Sequence, residues 1–178
     1  MELNPKKSII FEAGFTALEI LVSVGVFSII LLTIISFLFW MNYSNTKTQA
    51  DREALENARR VLDIINYEIR ESKGIYSSTS TSNQLSLETS KYLPTDEKTT
   101  FIDFFLCGSS LCMKKESQNP FALISDSVEV TSLSFSQIAN GTTQSIKTNI
   151  TVSHKNPNNQ AQSAASVNLT STVSLRSY

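Results

Sequence analysis

Glu19 is the only charged residue between Glu12 and Lys47. Directly after it the chain reads ILVSVGVFSIILLTIISFLFWM from Ile20 to Met41, without charge or proline. A carboxylate in apolar surroundings costs on the order of 2.5–3.5 kcal/mol at a membrane centre and less near an end. Glu19 therefore asks for a cationic partner, and the segment holding it supplies none. The other residues with chemical potential are few. Cys107 and Cys112 flank the tetrapeptide GSSL between two strand-like stretches. In an oxidising compartment they can close a hairpin as a disulfide; otherwise they are two buried thiols. His154 is the single histidine, so a zinc site at the cysteines would lack two ligands. Asp96, Glu97, Asp126 and Glu129 are scattered acids with no D-x-D-x-D-G run for calcium, and they read as solvated surface. No G-x-S-x-G elbow and no phosphate-cradling glycine loop is present. We expect no enzyme, no metal and no cofactor. The sequons at Asn140, Asn149 and Asn168 arise cheaply in a chain so rich in Ser and Thr.

The elements that must position these groups follow from periodicity. Residues 20–41 form an apolar run of the roughly 20 residues needed to cross a ~30 Å hydrocarbon core. It ends in bulky FLFWM rather than small residues, unlike a removable secretory signal. Residues 42–73 then read as an amphipathic helix. Leu55, Ala58, Leu62, Ile65 and Ile69 recur at steps of three and four, widened by Val61 and Ile64. Arg52, Glu56, Arg59, Arg60, Asp63 and Arg70 fall mainly on the other sides as a solvated face. Gly74 is the expected stop, through the left-handed conformation open to glycine. Nothing from Phe15 to Lys73 obliges a break.

Beyond Gly74 the pattern changes to alternation. QLSLET (84–89), FIDFFLC (101–107), LCMKKE (111–116), VEVTSLSFSQI (128–138), IKTNITVS (146–153) and ASVNLTSTVSLRS (165–177) read as strands. The alternation in VEVTSLSFSQI slips near Thr131–Ser132, which predicts a bulge. Val167, Leu169, Val173 and Leu175 share one face, interrupted only by Ser171. ANGTTQ (139–144) and NPNNQAQ (156–162) read as turns or loops. One long helix followed by strands implies an α+β fold, with the helix packed on an antiparallel sheet. The chain has 178 residues and a net charge of −1, so residues 42–178 suffice for one domain. Its basic residues are dispersed, and no direct nucleic-acid site is evident. Lys6 and Lys7 precede the apolar run, which predicts a cytoplasmic N-terminus and an extracytoplasmic body.

Residues 13–19 read AGFTALE, after a polar stretch MELNPKKSIIFEAG that carries Lys6 and Lys7. A glycine is followed by phenylalanine, with a glutamate four residues further on. This resembles the processing site of type IV pilins and of type II secretion pseudopilins. Glu12 and Ala13 stand where the family usually has a basic residue before the glycine, and Ala17 and Leu18 replace bulkier aliphatics. The resemblance implies cleavage after Gly14 by a prepilin peptidase and N-methylation of Phe15 by the same class of enzyme. It implies that Glu19 pairs with the N-terminal amine of a neighbouring subunit, setting axial register in a filament. The domains would be a leader (1–14), a transmembrane or filament-core half-helix (15–41), an amphipathic half-helix (42–74) and a β-rich pilin-like body (75–178). Major pilins often carry a proline where this chain has Ser36, so less kinking is expected.

DIINYEIRES, FIDFFLCGSSLCMK, VTSLSFSQI and TVSLRS further resemble minor pilins and the J-type pseudopilin. The implied role is a structural subunit at the tip or in initiation of a pilus, a type II secretion pseudopilus or a DNA-uptake (competence) apparatus. Its partners would be other pilins or pseudopilins, the prepilin peptidase, an inner-membrane assembly platform and the lipid bilayer. The location would be the bacterial cytoplasmic membrane, crossed once. The alternative is a membrane-anchored extracytoplasmic binding module that does not polymerise.

Overall fold

The computed structural model of the chain describes residues 16–176 apart from 92, 94, 141 and 142. Helix α1 spans Ala17–Glu71. Contacts divide the chain into two units, with the boundary between Asn42 and Tyr43. Every residue of α1 up to Asn42 is exposed. From Ala50 onward one face is buried, through Ala50, Ala54, Ala58, Val61, Leu62, Ile65 and Ile69. The expected stripe is present, except that Leu55 is only half-buried while Ala50 and Ala54 are covered. Ala50 and Ala54 are covered because they pack on Ala165, flanked by Val167.

Gly74 does not end the helix as expected. Among the described glycines only Gly108 has a positive φ, and α1 stops at Glu71. The N–H and Oγ of Ser72 both donate to the Ile69 carbonyl, at 3.3 and 2.7 Å. Lys73 N–H then donates to Glu88 O at 2.8 Å, and Gly74 enters strand pairing with Glu88. A capping hydroxyl and an adjacent strand satisfy the last groups, so no left-handed residue is needed.

The strands are β1 (Gly74–Ile75), β2 (Gln84–Thr89), β3 (Thr100–Cys107), β4 (Ser110–Lys115), β5 (Phe121–Ala122), β6 (Val128–Asn140), β7 (Thr143–His154) and β8 (Ser166–Ser174). All pair antiparallel with their chain neighbours, except that β5 and β6 do not pair. The expected α+β arrangement of one long helix followed by antiparallel strands is present, and the strands form two sheets, one of five strands and one of three. β5 lasts only two residues, and the chain between it and β6 carries Leu123 and Ile124 down into the core. The second sheet bonds to two connections of the first, Val130 N–H to Ser109 O in the β3–β4 turn and Phe135 N–H to Ser82 O between β1 and β2, each 2.8 Å. Between those two bonds the β6–β7 register shifts at Val130/Ser132, at the slip visible in the alternation. The expected 139–144 loop is shorter, because pairing continues to Asn140↔Thr143.

One core joins the helix to both sheets. Val61, Ile65 and Ile69 from α1 meet Leu87, Ile102, Phe104 and Leu111 from the first sheet and Ile146, Ile150 and Val152 from the second. Each such side chain contributes about 1.5–3 kcal/mol on burial. In β8 the inward row is Val167, Leu169, Ser171 and Val173, and its one polar member is matched: Ser171 Oγ donates to Asn66 Oδ1 of α1 at 3.1 Å.

Candidate functional site

Thr16 starts α1. Its carbonyl accepts from Ile20 N–H at 3.2 Å, and its Oγ1 accepts from Glu19 N–H at 3.3 Å. Thr16 is thus the N-cap and Glu19 the third helical residue, the spacing T-x-x-E of a capping box. That signal stands in the sequence at 16–19 and was not part of the sequence reading. A carboxylate in the first turn is also favoured by the positive end of the helix dipole. Yet the Glu19 side chain makes no hydrogen bond or ion pair with any described residue, and it is exposed. Gly14 and Phe15, the other residues of the expected processing site, lie outside the described residues.

The residues after Glu19 form a helix long and apolar enough to cross a membrane. Three of the four hydroxyls in its apolar run, those of Ser23, Ser28 and Thr33 but not that of Ser36, bond back to the helix itself. Ser23 Oγ donates to Glu19 O at 2.7 Å, Ser28 Oγ to Val24 O at 2.8 Å, and Thr33 Oγ1 to Ile30 O at 2.7 Å. Such back-bonding removes the penalty for a bare hydroxyl in hydrocarbon. Phe37, Phe39, Trp40 and Tyr43 gather at the far end of the apolar run, with the Phe37 and Trp40 rings 6.1 Å apart. Aromatic residues concentrate at membrane–water boundaries.

Cys107 and Cys112 are joined as a disulfide, with Cα atoms 5.8 Å apart. The bond spans the β3–β4 hairpin, whose turn is Gly108–Ser109 with Gly108 at φ 67°. Glycine at the first central position of a two-residue hairpin suits the right-handed twist of the strands. The carbonyl of Ser109 at this tip accepts the Val130 bond that links the two sheets. The disulfide therefore sits on the seam of the body. Among the described residues no group of three or more His, Cys, Asp or Glu is placed to hold a metal.

Two acidic positions in the body escaped the sequence reading. Glu68 is 4% exposed, and its Oε2 has no hydrogen-bond partner among the described residues. Burial pushes its pKa up; Lys115 and Lys91 oppose that shift, and Glu71 adds to it. Its position three after Ile65 is the only hint in the sequence. Glu53 meets His154, with Oε2 3.5 Å from Nε2. Hydrogen bonds from Ser127 and Gln49 hold its carboxyl below the usual range, against a small opposing effect of burial and with help from His154. Arg60, expected on the solvated face, and the neighbouring Asn57 instead reach the connection between β5 and β6. Arg60 Nη2 donates to Leu123 O at 2.7 Å, and Asn57 Oδ1 accepts from Ser125 N–H at 3.0 Å. At the helix end Lys91 Nζ lies 2.8 Å from Glu71 Oε2 and 3.0 Å from Tyr67 Oη. These contacts fasten the second part of α1 to the connections between the strands.

No known family, curated protein or solved structure matches this chain. What the chain does must be argued from its own residues. The strongest of these remain the Gly14–Phe15–Glu19 spacing and the apolar helix that follows it.

Proposed function

We propose that the chain is a structural subunit of a type IV filament assembly, a minor pilin or pseudopilin. One observation carries the reading. A single carboxylate, Glu19, stands in register with Gly14 and Phe15 at the head of an otherwise uncharged apolar helix, and it finds no partner among the described residues. Cleavage after Gly14 would expose an amine at Phe15, and methylation keeps that amine charged. The amine of a neighbouring subunit is then the cation that Glu19 lacks. In a low-dielectric filament core, leaving either charge alone is the larger penalty. The uncut leader would bury polar residues and block the amine. A long helix followed by antiparallel strands is the arrangement that the resemblance to pilins implies. The subunit waits in the cytoplasmic membrane, body outside, until an assembly platform adds it at the tip or start of a pilus, secretion or DNA-uptake filament.

The Thr16–Glu19 capping geometry favours a second reading. Glu19 could serve only to start the helix of a membrane-anchored binding module that never polymerises. Intact mass of the membrane-extracted chain separates the two. Filament subunits lose residues 1–14 and gain one methyl on Phe15. Retention of the leader beside an active prepilin peptidase would overturn the filament reading. Glu19→Ala should insert and fold yet fail to enter a filament or tip complex, and normal incorporation would refute its pairing role.

A further inference from the structure

The two sheets have four outer edges, and three of them are protected. β1 and β5 are two residues long, too short to template another strand. β6 carries a bulge and gives two of its N–H groups to Ser109 in the β3–β4 turn and Ser82 in the β1–β2 connection. β8 has none of these devices. It runs nine residues, Ser166–Ser174, without proline, glycine, charge or register shift. Natural edge strands carry such protection because an open edge recruits other strands.

The direction of the open groups can be worked out. Leu175 N–H donates to Gln144 O, and His154 N–H donates to Ala165 O, both 2.9 Å, and both bonds extend the β7–β8 register at its two ends. In an antiparallel pair, mutually bonded positions alternate with unbonded ones. Val167, Leu169, Ser171 and Val173 therefore spend their main-chain groups on β7. Ser166, Asn168, Thr170, Thr172 and Ser174 turn theirs to the open edge. No described residue bonds them there.

We propose that this edge pairs with the same edge of a second copy, β8 against β8 about a two-fold axis through Thr170. Thr170 is the midpoint of the strand and one of the edge-facing residues. Complete overlap of two antiparallel copies is therefore also the register in which the open groups meet. Ser166 faces the partner's Ser174, Asn168 the partner's Thr172, and Thr170 its own counterpart, each facing pair exchanging two main-chain hydrogen bonds. On the inner side Val167 meets the partner's Val173. The outer Asn168–Thr172 contacts repeat chemistry already used inside the sheet, where Asn168 Nδ2 donates to Thr151 Oγ1 at 2.8 Å and Thr170 Oγ1 to Asn149 Oδ1 at 3.0 Å. No like charges oppose each other. The contact is isologous and closes at two copies. It stands independently of any leader cleavage or filament role.

The test is site-specific oxidation of the full chain, purified in detergent with its native disulfide intact. Thr170→Cys should link to a second copy, because facing Cα atoms of a bonded pair lie about 5.5 Å apart. Thr172→Cys should not link to itself, whereas a mixture of Asn168→Cys and Thr172→Cys should. Thr170→Pro removes an edge-facing N–H and leaves the β7 bonds in place. It should keep the far-ultraviolet spectrum and melting point while weakening self-association about tenfold or more, read by sedimentation on dilution. Failure of Thr170→Cys to link, equal self-linking of Thr172→Cys, or unchanged association of Thr170→Pro would each overturn the proposal. So would linkage of Thr170→Cys in membranes to a different protein alone.

Discussion

Glu19 and Glu68 lie on the same helix, and each sits among apolar residues. The body of the protein closes over Glu68 and raises its affinity for a proton. No described part of the chain covers Glu19. The environment of Glu68 is thus set by the fold of the body, and that of Glu19 is not set by any described residue. The neighbouring polar residues divide the same way. Ser23, Ser28 and Thr33 bond back to their own helix. Asn57 and Arg60 reach across to the β5–β6 connection, and Asn66 to β8. One stretch of α1 is built to face a medium, and the other to face a partner surface.

Substitutions at matched positions can break that contrast. The largest effect is expected at Ile65, which is fully buried: Ile65→Ala should lower the stability of the body by about 2–5 kcal/mol in denaturant titration. Ile30→Ala, in the exposed apolar stretch, should leave the same unfolding curve unchanged. If both variants destabilise alike, the two stretches are not independent. Next, Cys107→Ser should cost about 2 kcal/mol, the loop-closure value for so short a ring, and should loosen the seam at Ser109. Faster amide exchange at Val130 than at Ile150 would register it.

The smallest effect separates the two carboxylates by pH. Because burial raises the pKa of Glu68, the folded chain holds that proton more tightly than the unfolded chain. The stabilisation is complete below the ordinary glutamate pKa and is lost as pH rises through the raised folded value. Glu68→Gln should flatten that decline and raise the melting temperature at neutral pH. Glu19→Gln should leave the profile of the body as it was. A profile that Glu68→Gln does not alter would show that Lys91 and Lys115 fully offset the burial.

Much of the fold was legible because its signals are local. The apolar run, the stripe through Val61, Leu62, Ile65 and Ile69, and the slip at Thr131–Ser132 each follow from spacing along a few turns or pleats. What escaped depends on distant partners. The split into two sheets rests on how β5 ends and on where Ser82 and Ser109 meet β6. The burial of Ala50 and Ala54 rests on Ala165, more than a hundred residues away. Glu68 reads as solvent-facing by residue type, and only the convergence of the strands shows otherwise. At the candidate site, the Gly14–Phe15–Glu19 spacing is readable from residue types alone. The cap at Thr16 is equally present in the T-x-x-E spacing, but it acts through the Glu19 N–H, which residue type and charge do not display.

The internally bonded hydroxyls of Ser23, Ser28 and Thr33 have a consequence for how the helix tolerates its surroundings. Three of the four hydroxyls in the apolar run ask nothing of their neighbours, so one apolar medium can replace another there without supplying a new donor or acceptor. The Glu19 side chain has no such internal bond to a described residue, and it is the charged position at which the helix stays sensitive to what it meets.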